Sequence, residues 1–311
     1  MIGSVLCLSF SYLLAQPGPI KLIRHLDDFS YLLVNDSLER TSTEKLKYLP
    51  LGNKSSSYIS FGGELREQYQ YFKNANFGDR PPNAPLDNDG HLWHRVMAHA
   101  DVQLGQHFRL FSQLSSTFAI GKKTIVPEID ENKLSLHQAF IEYRTGKKDS
   151  YFIRVGKQEY SYASKHFISM REGPNTRLTY NMAVLGYEGS NHKFYSFIGR
   201  PSISRRGVFD DEYIGDYIWT AYAIRKLRKG NLEAFYFGYT SDANRYNYVP
   251  GQEDRQTIGF RYWLQQKKGL NTNAEVAYQF GTFNDLNINA CLLYTSPSPR
   301  DATLSRMPSS A

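Results

Sequence analysis

The feature that most constrains this chain is a period of two that begins at Tyr58 and returns, segment after segment, until residue 283. In the first segment Ile59, Phe61, Gly63, Leu65, Tyr69 and Tyr71 share one face, while Ser60, Gly62, Glu64, Arg66, Gln68 and Gln70 share the other; Glu67 alone breaks the order. The second segment sets Leu92, Val96, Ala98, Ala100, Val102 and Leu104 against Arg95, His99, Asp101 and Gln103. Later ones oppose Tyr151, Ile153 and Val155 to Arg154, Gly156 and Gln158, and Ile258, Phe260, Tyr262 and Leu264 to Arg255, Thr257 and Arg261. Near the end, Ala274, Val276, Tyr278 and Phe280 oppose Asn273, Glu275 and Gln279. Alternation of this kind belongs to strands that are apolar on one face, so an all-β chain of about eleven strands is expected.

A soluble sandwich alternates too, and the connections decide between them. Long ones at about 72–90, 119–133, 161–177, 201–215 and 240–254 take turns with tight ones at Gly105–His107, Thr145–Ser150, Gly189–Asn191, Lys226–Gly230 and Gln265–Gly269. Outer-membrane barrels have long outer loops and short periplasmic turns, whereas a sandwich has no reason for strict alternation. Aromatics make up 14% of the residues, with 23 Tyr and 19 Phe against 3 Trp, yet no apolar run reaches the roughly eighteen residues of a spanning helix. The expected fold is a transmembrane antiparallel up-and-down β-barrel.

The two ends read differently. Ile2–Ala15 is uncharged and apolar and is followed by Gln16, Pro17, Gly18 and Pro19, the form of a secretory signal, so residues 1–16 are expected to be a signal peptide. Residues 17–56, with IKLIRHLDDFSYL and KLKYLPL, are expected to be a periplasmic lead-in, and nothing in them separates that from a short plug. The barrel is expected over 57–290. The stretch CLLYTSPSPRD (Cys291–Asp301), continued to Ala311, has no strand alternation and resembles a translated sequencing adapter. It is expected to be non-native and poorly packed against a curved, open or falsely closed sheet. Both cysteines, Cys7 and Cys291, fall in these end segments, so no disulfide or metal–thiolate framework is expected.

Several stretches carry a resemblance. They are LDDFSYL (Leu26–Leu32), KYLPL (Lys47–Leu51), YISFGGELREQYQYF (Tyr58–Phe72), HADVQLGQHFRLFSQL (His99–Leu114), DENKLSLHQAFIEY (Asp130–Tyr143) and RVGKQEYSY (Arg154–Tyr162). They continue with MREGPN (Met170–Asn175), GRPSISRRGVFDD (Gly199–Asp211) and AYQFGTF (Ala277–Phe283). In this order they resemble the alginate export family of outer-membrane proteins. The resemblance implies a monomeric barrel of about eighteen strands, so that the missing ones would add about 150 residues. It further implies a lumen rich in Arg and Lys that passes an anionic uronate polysaccharide outward, in the outer membrane of a Gram-negative bacterium and with periplasmic export partners.

On that reading Arg66, Arg95, Arg154, Arg171, Arg177 and Arg261 are the candidate pore-lining residues, because guanidinium groups hold carboxylates in a fixed fork and never lose their charge. The alternative is that they brace the wall by pairing with Glu64, Asp101, Glu142, Glu159 and Glu275. Arg171 and Arg177 flank Gly173 and Pro174, strand breakers that let this stretch fold inward as a constriction or outward as an ordinary loop. The net charge of +7 is dispersed, which argues against a nucleic-acid partner. Rival functions are a general porin for small anions, an outer-membrane lipid hydrolase using Ser161, Ser164 and His166, and a soluble carbohydrate-binding β-protein. His99, His137 and His166 have no nucleophile at a motif spacing, and no Gly-Xaa-Ser-Xaa-Gly elbow is present. Asp87, Asn88, Asp89 and Gly90 lack the downstream glutamate of a calcium loop and read as a solvated turn. Asp210 and Asp211 read as loop-packing residues. No enzyme activity, cofactor or metal is expected.

Overall fold

A computed structural model describes residues 20–29, 32, 42–52, 56–73, 90–123, 126–146, 149–161, 164–213, 215–246, 249–265 and 271–296. The expected signal peptide, Cys7, Asp87–Asp89 and residues 297–311 lie outside them. Fourteen strands occur among the described residues. They are β1 (Leu49–Pro50), β2 (Tyr58–Tyr71), β3 (Gly90–Leu104), β4 (Phe108–Ile120), β5 (Asn132–Arg144), β6 (Ser150–Gln158) and β7 (Tyr180–Glu188). The series continues with β8 (His192–Ile203), β9 (Glu212–Tyr213), β10 (Tyr217–Lys226), β11 (Asn231–Tyr246), β12 (Val249–Leu264), β13 (Thr272–Phe283) and β14 (Leu286–Ser296). Each pairs antiparallel with its neighbour in one up-and-down sheet, except that β9 pairs only with β8, and the sheet is not closed. No helix among the described residues is long and apolar enough to cross a membrane.

The two faces are inverted relative to a protein that folds in water. Leu65, Ile141, Val155, Leu185 and Ile198 on one face are each more than half exposed, while Arg95, Gln113, Gln138, Gln158 and Glu275 on the other are at most 1% exposed. Apolar area left open to water is costly, so this outer surface is built to be covered by lipid. Aromatic side chains cluster at both ends of the outer face. Phe108, Tyr143, Tyr151 and Phe194 lie beside the tight turns, and Tyr69, Tyr71 and Tyr217 lie beside the long connections, the placement of interfacial girdles.

The concave interior has two different halves. On β2 to β6 it is polar and charged, with Glu64, Arg95, Gln113, Gln138, Glu142 and Arg154. From β6 to β11 it is apolar and aromatic, with Phe152, Tyr180, Met182, Val184, Phe197, Tyr222, Phe235 and Phe237 in one cluster.

One expectation needs correction. The long connection expected at about 240–254 is mostly ladder: β11 and β12 pair from Asn231↔Trp263 to Tyr246↔Val249, with a register shift between Ser241 and Asn244. Polar side chains such as Asp242 and Glu253 made this segment look like a loop, but strands that outrun the membrane need no apolar face. The expected eleven strands correspond to the long strands that end at Phe283, and β14 adds another. Its second half is Cys291–Ser296, the start of the segment expected to pack poorly against the sheet, which pairs with β13 from Tyr278↔Cys291 to Asn273↔Ser296. The backbone groups on the free side of β13 accept any extended partner, and the side chains there pack little: Leu293 is 75% exposed and the Cys291 thiol is free.

The described part of the expected lead-in forms a strap against the polar face of the sheet. A 3-10 turn at Arg24–Leu26 buries His25 against Gln138 of β5, and β1 pairs with the start of β2.

Candidate functional site

The site forms where the connection between β6 and β7, described over residues 159–161 and 164–179, turns back over the polar face of the sheet. Ile168 and Met170 are buried, and Ile168 joins the aromatic cluster, so this stretch is anchored by apolar contact. Its far side is pinned by Asn175. The Nδ2 of this buried side chain donates towards the carbonyl oxygens of His94 on β3 (3.2 Å), Phe118 on β4 (3.1 Å) and Asp130 (3.0 Å). The Thr176 N–H donates to Ile129 O at 2.8 Å, and its hydroxyl meets that of Thr117 at 2.9 Å. Arg171 takes a positive φ of 56° at the bend. The stretch is thus held against β3, β4 and residues 129–130.

Folding inward brings distant charges together. Arg95 Nη2 lies 2.7 Å from Glu64 Oε1 and 2.7 Å from Glu172 Oε1, and its Nη1 donates to Asn175 O at 3.2 Å. Arg177 reaches Glu64 at 3.2 Å and Glu159 at 3.5 Å, and its Nε bonds Glu172. Arg66 donates to Glu172 through both the backbone oxygen at 3.2 Å and the carboxylate at 3.4 Å. His137 closes the chain on Glu159 at 2.8 Å. Burial alone would raise the Glu172 carboxyl, but the Arg177 and Arg95 guanidiniums hold it below its ordinary range. Burial likewise opposes the charge on Arg177, and Glu172, Glu159 and Glu64 more than compensate, so its pKa is raised.

A second network lies beside the first. Arg154 holds Glu142 at 2.5 Å and lies over the Phe140 ring, 4.8 Å from its centroid. Arg144 bridges Glu142 (3.2 Å) and Glu188 (2.8 Å), and Arg109 holds Asp101 at 2.6 Å.

The candidate arginines are therefore distributed. Arg66, Arg95 and Arg177 meet in one cluster, and Arg154 belongs to its neighbour. Arg171 is exposed and lines a cavity of about 680 Å³ together with Arg177, Tyr180, Tyr239, Arg255 and Gln279. Arg261 stands apart on β12, against Glu233 at 3.2 Å and Asn273 at 2.8 Å. The five carboxylates expected as braces all face a cationic or imidazole partner, Glu275 through His166 at 3.2 Å. Sequence reading missed Arg24, Arg109, Glu172 and Asn175. Only Glu172 and Asn175 carried a signal, lying in the MREGPN stretch already singled out.

Other candidates resolve into packing roles. The His166 ring faces Glu275, and only its backbone N–H lies near the Ser164 hydroxyl (3.4 Å), so the nucleophile–base bond of a hydrolase is not formed there. The Ser161 hydroxyl accepts the Met170 N–H at 3.2 Å. Asp211 receives Lys157 at 2.6 Å and Asn132 at 2.8 Å, and Asp210 receives the Gly207 N–H at 2.8 Å, which is loop packing. Among the described residues no cluster of His, Cys, Asp or Glu is arranged to hold a metal.

No curated protein matches the chain. The family model for alginate export matches residues 57–296, which takes in every long strand from β2 to β14. The chain therefore belongs to the alginate export family, with the general role in outer-membrane polysaccharide export that this family carries.

Proposed function

We propose that the chain forms the wall of a passive outer-membrane channel that passes an anionic, alginate-like uronate polysaccharide through a basic constriction. The observation that carries this reading is the inward turn of residues 159–179, which sets Arg66, Arg95 and Arg177 around one partly exposed carboxylate, Glu172, and leaves Arg171 open to the cavity. An arginine already paired with a carboxylate has lost much of its hydration. A uronate that displaces Glu172 swaps one carboxylate for another, so each exchange costs little and each site stays weak. A row of weak, equivalent sites is what lets a polymer advance from one to the next. Arg154 and Arg261 extend the basic lining along the wall while bracing it. A barrel has no motor, so flux follows the concentration gradient and the periplasmic partners that deliver the polymer. Outer-membrane lipid covers the apolar face, and one barrel suffices for one channel.

Single-channel recording of the full-length protein with and without polyuronate tests this. Polymer should block or modulate the current at sub-stoichiometric charge, and Arg171→Ser should lower anion selectivity. A current indifferent to polymer, with small anions and cations permeating equally, would overturn the export reading. Polymer indifference with retained anion selectivity would instead favour a general anion porin.

A further inference from the structure

Residues 20–29 lie before the stretch that matches the family model and are not part of the sheet, yet they are built into the charge network of the lumen. His25 is 3% exposed. Its Nδ1 meets Gln138 Oε1 at 2.8 Å, its Nε2 faces Arg154 Nη1 at 3.1 Å, and its ring packs edge-on against Phe111 and Phe140. The backbone is held as well: Arg109 donates to His25 O at 2.7 Å and Arg177 to Leu22 O at 3.3 Å. Downstream, Leu46 O accepts the Phe61 N–H of β2 at 2.8 Å.

This placement directs Arg24 onto Glu64 at 3.1 Å, the carboxylate shared by Arg95 and Arg177. Counted through their ion pairs, the wall and the inward turn supply three guanidiniums, Arg66, Arg95 and Arg177, and three carboxylates, Glu64, Glu159 and Glu172. Those guanidiniums and carboxylates balance, and the second network, Arg109, Arg144 and Arg154 with Asp101, Glu142 and Glu188, is balanced too. Arg24 is the excess cation. The strap is neutral as a whole, since Lys21 and Arg24 offset Asp27 and Asp28, but it is polarised: Asp27 turns back to accept the Lys21 N–H, while Arg24 points into the cluster.

We propose that the N-terminal strap is a working part of the channel's constriction and that Arg24 is a selectivity-determining residue, the charge that tips a balanced network towards anions. The inference rests on the channel reading above and deepens it. Arg24 acts by relieving Arg95 and Arg177 of part of their hold on Glu64, which frees their donors for a passing carboxylate. The strap also narrows the lumen beside the charged wall, so ions pass close to these donors.

The test is reversal-potential measurement in planar bilayers across a KCl gradient, using the full-length protein. Arg24→Gln should lower the anion-to-cation permeability ratio at least about two-fold, and Arg24→Lys should restore it, a rescue that a purely packing role would not require. His25→Ala, which changes none of the paired charges but removes the strap's side-chain anchor, should lower the ratio and raise the conductance together. Polyuronate block should weaken in both Arg24→Gln and His25→Ala. If Arg24→Gln and His25→Ala keep the wild-type ratio while Arg177→Gln lowers it, the strap is packing only and the channel reading stands. If none of the three changes the ratio and polyuronate leaves the current unaltered, the channel reading itself falls.

Discussion

Two groups in the charge networks, buried His25 and half-exposed Glu172, give the protein a pH response with a defined order. His25 sits neutral, since burial first and the nearby Arg154 and Arg109 charges next hold its pKa well below the ordinary 6.5. A depressed folded-state pKa means that its contribution is complete above that value and is lost as pH falls through the folded value. Glu172 follows the same sign in a lower window, complete above the ordinary 4.5 and lost beneath it. The strap is therefore expected to loosen first, below about pH 6.5, and the inward turn only below about pH 4.5. Limited proteolysis of the reconstituted protein at stepped pH, with cut sites read by mass spectrometry, should show cleavage near 20–29 before cleavage in 159–179; the reverse order would refute it. A second expectation concerns Asn175. Removing a side chain that serves three carbonyl oxygens should cost about 2–3 kcal/mol locally, so Asn175→Ala should open the turn to protease at neutral pH while leaving the strands folded.

At this scale the sequence told which residues face inward, because parity along a strand fixes the face. It could not tell partners. Arg95 and Glu172 are 77 positions apart and Arg177 and Glu64 are 113 apart, and both pairs exist only because the turn between β6 and β7 folds back. Arg24 lies in a segment with no period at all, so nothing local marked it as a partner of Glu64.

At the scale of elements, Gly156 is a position that only glycine fills. Its φ is +139°, and a Cβ there would stand 2.2 Å from Ala139 O in the neighbouring strand. Gly156→Ala should break the pairing of β5 and β6 at that point and cost about 2–3 kcal/mol. The readout is the heat-modifiable fraction on a gel, which should fall; an unchanged fraction would show that the strand can shift to take the methyl. Strand identity was largely legible because alternation is local, and the tight turns at Gly105–His107 and Gly189–Asn191 were legible because glycine and short polar residues mark them. The outer part of the β11–β12 hairpin, near 240–254, was not legible, since above the membrane a strand has no apolar face to announce it. β14 was hidden for a related reason: its pairing is a matter of backbone, and its mostly exposed side chains carry no pattern.

For the whole molecule the inverted surface sets the energetics. Leu185 lies in the middle of β7 on the outer face, 57% exposed, so Leu185→Arg places a charge where lipid is met and should destabilise the folded barrel by about 2–4 kcal/mol. Equilibrium unfolding in lipid vesicles measures this, and a cost near zero would mean that this face is not in the bilayer. The fold class was readable before any coordinates because the loop rhythm and the one-faced strands point the same way. The division of the interior was not, since Phe152, Phe197 and Phe235 occupy inward positions that parity alone would have made polar.

The long hairpin has a consequence outside transport. β11 and β12 hold 16 residues each, about 50 Å of strand, whereas the apolar band of such barrels is about 25 Å tall and its strands are tilted by about 40°. Roughly 15 Å of ladder therefore stands clear of the bilayer on the side of the long connections, joined by only two residues. Its shape is that of a two-stranded ladder paired as far as Tyr246↔Val249. A binder raised against that shape should recognise intact cells, fail on heat-denatured protein, and so count correctly assembled copies at the cell surface.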